Sequence, residues 1–215
     1  MTRRTSDPFD LNKVELSSSV TVGKYREMEG KKDLNGLADF IGERLSERYI
    51  GPLRTSSEKH GFLMMAAVCL LTETLESFYQ GWPTTDKGIP RKDIQDPCKP
   101  TDPKRTTVSS SEVAFCYFFQ RELAFSPLRS YSQDFYVHVR CGILHQGETT
   151  GGWRIWREGA LFDDKNLTVN ADKFLAEVQK AVQTYADKLR NAAWNDDLSN
   201  NFRNKMDAII DHCKR

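Results

Sequence analysis

A surplus of charge of either sign is the first thing this chain lacks: 31 lysines and arginines face 30 acids across 215 residues. With no overall positive field it cannot hold nucleic acid indiscriminately, so any contact with a polyanion has to be local. A long hydrophobic run is also missing. The longest, FLMMAAVCLL at 62–71, has ten residues, against about 20 needed to cross a bilayer, so it reads as a buried helix and no membrane contact is expected. No apolar stretch follows the arginines of MTRRTSDPFD, so a secretory signal is not expected and a cytoplasmic location is.

Cysteine is scarce and scattered. The five, at 69, 98, 116, 141 and 213, are odd in number and form no C-x-x-C pair, which argues against both a disulfide framework and a zinc knuckle. They read mostly as small core residues, and neither a metal nor a cofactor is expected. The G-x-x-x-x-G-K-[ST] loop, the G-x-S-x-G elbow and H-E-x-x-H are all missing. The acidic pairs Asp163/Asp164 and Asp196/Asp197 sit in turn or helix-start contexts, where carboxylates cap and solubilise.

What is present suffices for a core, with 39% apolar residues. Leu34, Leu37, Ala38, Ile41, Leu45 and Tyr49 follow the three-four spacing of an amphipathic helix over 34–49. The next helix starts at Thr55 and Glu58, which have capping-box spacing, and stops at Gly81. It is apolar nearly all round at first and should be central. Five of the eight prolines then fall within 81–108, which predicts a connector without regular elements, either mobile or functional.

Helical signals resume with two further capping-box spacings, Ser109/Glu112 and Ser130/Gln133. Phe135, Val139 and Ile143 form the inward stripe of the second of these helices. Residues 151–169 hold short β-prone pieces, GGWRIWREG and NLTV, and predict a small hairpin. Two helices close the chain: one, capped by Asn170, aligns Phe174, Val178, Ala181, Tyr185 and Leu189; the other aligns Leu198, Phe202, Met206, Ile209 and Cys213. The expectation is a mainly α protein, a helical bundle with a small β-hairpin-like insertion. Residues 33–215 would form one domain, with 1–32 an extension packed on it.

Chemistry concentrates in FYVHVRCGILHQGETTGGWRI, residues 135–155. Arg140 starts from an apolar surface on which an unpaired charge is costly. It needs an anion, either a carboxylate on a neighbouring helix, such as Glu73 or Glu76, or a phosphate, which suits its planar fork. His145 ends an apolar helix at a glycine-bearing loop, where a group titrating near neutrality can move protons without a metal. His138 lies close to Arg140. Five positions along an α-helix rotate by about 500°, a net 140°, so the pair converges only if the helix end distorts at Gly142 or Gly147, or if two copies share a cleft. Trp153 and Trp156 alternate with Arg154 and Arg157, a pattern that either stacks on unpaired bases or packs a hairpin on the bundle.

RCGILH near the end of a helix, followed by HQGETTGGWRI, a turn-rich insertion and a long helix with the NADKF start, resembles the HEPN-domain family. Its defining motif is Arg, four to six residues, His, and the likeness covers roughly residues 130–190. The resemblance implies an HEPN-like helical bundle that often dimerises. In many members it also implies a metal-independent endoribonuclease of toxin or anti-phage systems, acting on RNA and answering to a cognate antitoxin or sensor protein. Carried onto this chain, Arg140 would bind the scissile phosphate and His145 would serve the attacking ribose 2′-hydroxyl, with His138, Cys141, Gln146 and Glu148 as supporting residues. The position after the arginine, Asn, Asp or His in many active members, is Cys141. The position two after the histidine, a tyrosine in the subgroup paired with nucleotidyltransferase antitoxins, is Gly147, which disfavours that partnership. A non-catalytic HEPN-like module binding RNA, a nucleotide or a protein is the alternative.

Overall fold

A computed structural model describes residues 9–54 and 60–214. The predicted capping box at Thr55 and Glu58 lies outside them. The chain is mainly α. Helix α1 spans Val22–Gly30 and α2 spans Leu34–Leu45, ending in a π-turn, Ser46–Ile50, and a short turn, Gly51–Arg54. The predicted stripe of α2 packs inward through Leu37, Ala38, Ile41 and Leu45, joined by Phe40. Leu16, Val20, Val22 and Tyr25, from the predicted extension, sit in the same continuous core as the later helices.

Helix α3, Gly61–Gln80, is the hub. Its 20 residues are long and apolar enough to span a bilayer by composition alone, but the company it keeps accounts for that content. Met65, Val68, Cys69, Leu71, Leu75 and Phe78 are all buried, while Phe62 and Leu63 in its first turn stay exposed, so the helix is not enclosed from its start. Gly81 ends it in the left-handed region at φ 65°, as its position predicts.

The connector departs from expectation. It carries a strand, β1 (Gly88–Pro90), paired antiparallel with β2 (Thr107–Ser109), and a satellite core of Ile94, Val108 and Val113. Its prolines stand at strand ends and turns, where no ladder hydrogen bond is lost. A disulfide joins Cys98 to Cys116, a pair that the reading of the cysteines as mostly small core residues did not foresee. The pairing is invisible in the residue spacing, because it is the β1–β2 ladder that folds Cys98 back onto the next helix.

That helix, α4, spans Ser110–Arg121. Ser109 is its N-cap residue, but its side chain makes no cap bond; its partner is the Tyr136 side chain. Glu112 binds Arg105 through two bonds of 2.8 and 2.9 Å, so the predicted capping box does not form. Nor does the one at Ser130: a 3₁₀ stretch, Leu123–Tyr131, runs through it into Ser132–Asp134.

From Phe135 to Gln146 the backbone is a π-helix. Phe135 and Val139 are buried, and Ile143 packs against the core at partial exposure. Beyond it the predicted hairpin is instead a three-stranded sheet. Strand β3 (Arg154–Trp156) lies parallel to β5 (Thr168–Asn170), and β4 (Phe162–Asp163) lies antiparallel to β5. The tryptophans divide: Trp153 is buried and stacks on Phe162, whereas Trp156 is 58% exposed. Asp163 accepts three bonds within its turn and Asp196 caps the last helix, the roles read for those acids.

Helix α5 spans Ala171–Arg190, with the Asn170 side chain accepting from the Lys173 amide at 3.0 Å, and its five predicted stripe residues are all buried. Helix α6 spans Asp197–His212. The hub α3 packs against α4, α5, α6 and the π-helix, which sets Arg140 beside its Glu73.

Candidate functional site

Two buried carboxylates one turn apart on α3 organise the centre of the bundle. Glu73, 4% exposed, receives the Arg140 guanidinium, Nε to Oε1 at 2.6 Å and Nη2 to Oε2 at 3.1 Å. Glu76, fully buried, takes Arg121 at 2.6 Å and a 2.8 Å bond from Gln80 Nε2. Arg121 in turn stacks on Tyr79, its Cζ 3.6 Å from the ring centre. Of the partners foreseen for Arg140, Glu73 is the one it meets. The Arg121–Glu76 pair was not read from the sequence, although two acids inside an apolar helix signal that each needs a cation.

Burial shapes both pairs. Desolvation acts to lower the affinity of Arg140 for its proton, but the bonds and charge of Glu73 outweigh it and hold the guanidinium well above its ordinary value. Burial pushes the Glu76 carboxyl up, with Arg121 and Gln80 opposing. Burial also raises the Cys69 thiol, reinforced by the charge of Glu73 one turn away. The Arg140 Nη1 is left with one weak contact, the Cys141 sulfur at 3.9 Å. Tyr136 lies beneath, its ring centre 5.5 Å from the Arg140 Cζ, and also contacts Cys141.

The π-helix changes the geometry of the motif. Its bonds close from residue i to i+5, so five positions make only slightly more than one turn, and the α-helical offset between Arg140 and His145 largely disappears. The two side chains are nonetheless not bonded to each other. His145 is exposed and has no hydrogen-bond partner among the described residues. Gln146 is exposed beside it, and the Glu148 carboxylate turns back to accept from the Thr149 amide at 2.9 Å.

His138 has a separate task. Its Nδ1 sits 2.9 Å from Thr150 Oγ1, and its carbonyl accepts from the Thr150 amide at 3.0 Å. These contacts fold the glycine loop back along the helix. A Cβ at residue 142 would come within 2.6 Å of the Glu148 carbonyl oxygen, so Gly142 is what permits the close return. Gly147, at φ 69°, ends the helix in the left-handed region.

Two clefts lie elsewhere, one of about 990 Å³ lined by Phe62, Leu63 and Trp156, the other of about 760 Å³ lined by Trp156 and the Asp163 turn. The described residues contain no cluster of three or more His, Cys, Asp or Glu side chains that could hold a metal ion. Comparison with protein families, with curated proteins and with solved structures finds no match to this chain.

Proposed function

We propose that this chain is an HEPN-like, metal-independent endoribonuclease. The observation that carries the reading is the state of the two motif residues: among the described residues His145 stands exposed and without a side-chain partner at a helix end, about one π-turn from a guanidinium whose Nη1 makes only a sulfur contact. In such a reaction Arg140 offers Nη1 to a non-bridging oxygen of the scissile phosphate and stabilises the developing negative charge. His145 takes the proton of the ribose 2′-hydroxyl or returns one to the leaving 5′-oxygen. The products are a 2′,3′-cyclic phosphate and a 5′-hydroxyl, and DNA is spared. In this reading Gln146 and Glu148, both exposed near the histidine, would support it at the ribose.

A homodimer belongs to the same reading. Val137, three residues before Arg140, is 44% exposed, and Leu70, three residues before Glu73, is 41% exposed. An isologous contact across these apolar side chains would bring two motif pairs around one cleft. The setting would be the cytoplasm, in anti-phage defence or a toxin-like stress response, under a cognate antitoxin or sensor protein.

The second reading, a non-catalytic module for RNA, a nucleotide or a protein, is favoured by one fact: Glu73 already occupies Nε and Nη2 of Arg140. The two part on a single experiment. Purified protein is incubated with mixed RNA in EDTA, alongside His145→Ala and Arg140→Ala. Cutting by the wild type, lost in both variants, supports the nuclease; intact RNA, or equal cutting by the variants, discards it.

A further inference from the structure

The disulfide stands at the join between two unequal parts of the molecule. The main core runs from Leu16 to Ile210 and includes neither Cys98 nor Cys116. The connector has only its satellite core of Ile94, Val108 and Val113, and seven of its residues between 95 and 104 are exposed. Among the described residues, three polar or covalent attachments hold its 91–106 part against α4: the Cys98–Cys116 bond, the Gln95 amide on the Tyr117 hydroxyl at 2.9 Å, and the Arg105–Glu112 pair; Thr85 and Lys87, before it, are separately bonded to Ser111 and Ser110. Only the first is covalent.

One side of the bond, Cys98, is nearer to solvent than the other, Cys116, which is buried. Cys98 is half-buried, and both cysteines line a cleft of about 370 Å³ that Gln120, Arg129, Ser132 and Gln133 also line. Ser132 and Gln133 belong to the turn that feeds the π-helix. A second link runs from the lobe to the candidate site: Ser109, at the end of β2, bonds to Tyr136, and Tyr136 underlies Arg140 and touches Cys141. Disulfides in reducing compartments are commonly redox-sensing, and exposed ones are the labile ones.

We infer that Cys98–Cys116 is a redox-operated tether, whose opening by a dithiol reductant frees the 91–106 lobe and loosens Tyr136 beneath Arg140 while the bundle stays folded. A thiolate of the reductant attacks Cys98, the more accessible sulfur; the S–S bond breaks and Cys116 leaves as a thiolate that takes up a proton. The second thiol of the reductant then displaces Cys98, which is released and protonated. In total two electrons and two protons pass to the protein, and the reductant leaves as its own disulfide. The device does not depend on the chain's being a nuclease.

Wild-type protein is prepared with diamide or with dithiothreitol, and its thiols are counted by alkylation after denaturation. Three are expected in the oxidised form, five cysteines less the two in the bond, and five in the reduced form. Hydrogen exchange is then followed by mass spectrometry in both forms and in Cys98→Ser. Peptides from 91–106 and 132–142 should exchange about tenfold faster on reduction, as expected for local opening, with α3 and α5 unchanged and Cys98→Ser matching the reduced form in either buffer. Five thiols in the oxidised protein, equal exchange in both forms, or faster exchange throughout α3 and α5 would each overturn the inference.

Discussion

Arg140 and Glu73 are locked together by two hydrogen bonds between the π-helix and α3, in a setting where the arginine side chain is 15% exposed and the glutamate 5%. The arginine proposed to meet a phosphate is therefore also a structural cation. Glu73→Ala should cost about 3–5 kcal/mol, because it strands a buried charge. Adding Arg140→Met should recover part of that loss, since the pair no longer needs to be kept. Chemical denaturation of the two single variants and the double variant checks this; simple additivity would show that the residues are not coupled.

Arg121 and Glu76 allow a test by pH. Burial already raises the Glu76 carboxyl above its ordinary 4.5, and Arg121→Leu removes the largest opposing influence. An acid whose pKa is higher folded than unfolded contributes stability that is present below the unfolded value and lost as pH rises through the folded one. The variant should therefore lose stability relative to wild type as pH climbs above 4.5, with a deficit of about 3–5 kcal/mol where Glu76 would be ionised. Urea titrations across pH read this directly. A deficit that does not change with pH would mean that Glu76 keeps one protonation state throughout.

Where physics is local, the residues announce the structure. Asn170 caps because it precedes a helical stripe, and Glu73 could be named for Arg140 because a buried cation demands an acid. The misses are all non-local. No spacing between 98 and 116 reveals that two strands will bring those sulfurs together. Ser109 and Glu112 have the right interval for a capping box, but Tyr136, on the π-helix, and Arg105, outside the helix they begin, bind them instead. The π-register of 135–146 is hidden for a related reason: Phe135, Val139 and Ile143 satisfy an i, i+4 pattern that also reads as α, and only the closing bonds distinguish the two.

The return of the glycine loop rests on two missing methyls. At Gly142 an added Cβ meets the Glu148 carbonyl oxygen at 2.6 Å, and at Gly151, already at φ 61°, it meets the His138 ring at 2.5 Å. Gly142→Ala presses on backbone and should cost about 1–3 kcal/mol through overpacking. Gly151→Ala adds left-handed strain to a clash with a ring that is itself held by Thr150, so a loss of similar size is expected. Thermal melts of each should show it. Unchanged melting of Gly142→Ala would mean that the loop does not lie against the helix.

The two tryptophans of the insertion should behave oppositely. Trp153 is 4% exposed, stacks on Phe162 and meets Phe135 edge-on, so Trp153→Ala should cost about 3–5 kcal/mol. Trp156 is 58% exposed, and its replacement should stay within about 0.5 kcal/mol. Acrylamide should quench Trp156 far more readily than Trp153, which single-tryptophan variants can resolve. Equal quenching would contradict the sheet's orientation.

The two motif residues make the sharpest contrast, because one is tied into the structure and the other is not. His145 is exposed and has no partner among the described residues, so His145→Ala should leave stability within about 0.5 kcal/mol of wild type. Arg140→Ala leaves Glu73 buried without its cation and should cost about 3–5 kcal/mol. Any RNA cleavage should vanish in both. A loss in Arg140→Ala alone is therefore ambiguous between chemistry and folding, whereas a loss in a fully stable His145→Ala is not. Arg140→Lys sharpens the point, since it keeps a cation beside Glu73 but gives up the planar fork. It should retain most of the stability while losing the activity. If Arg140→Lys cut RNA as well as wild type, the guanidinium would be a structural cation only, and the phosphate-binding role assigned to it would be wrong.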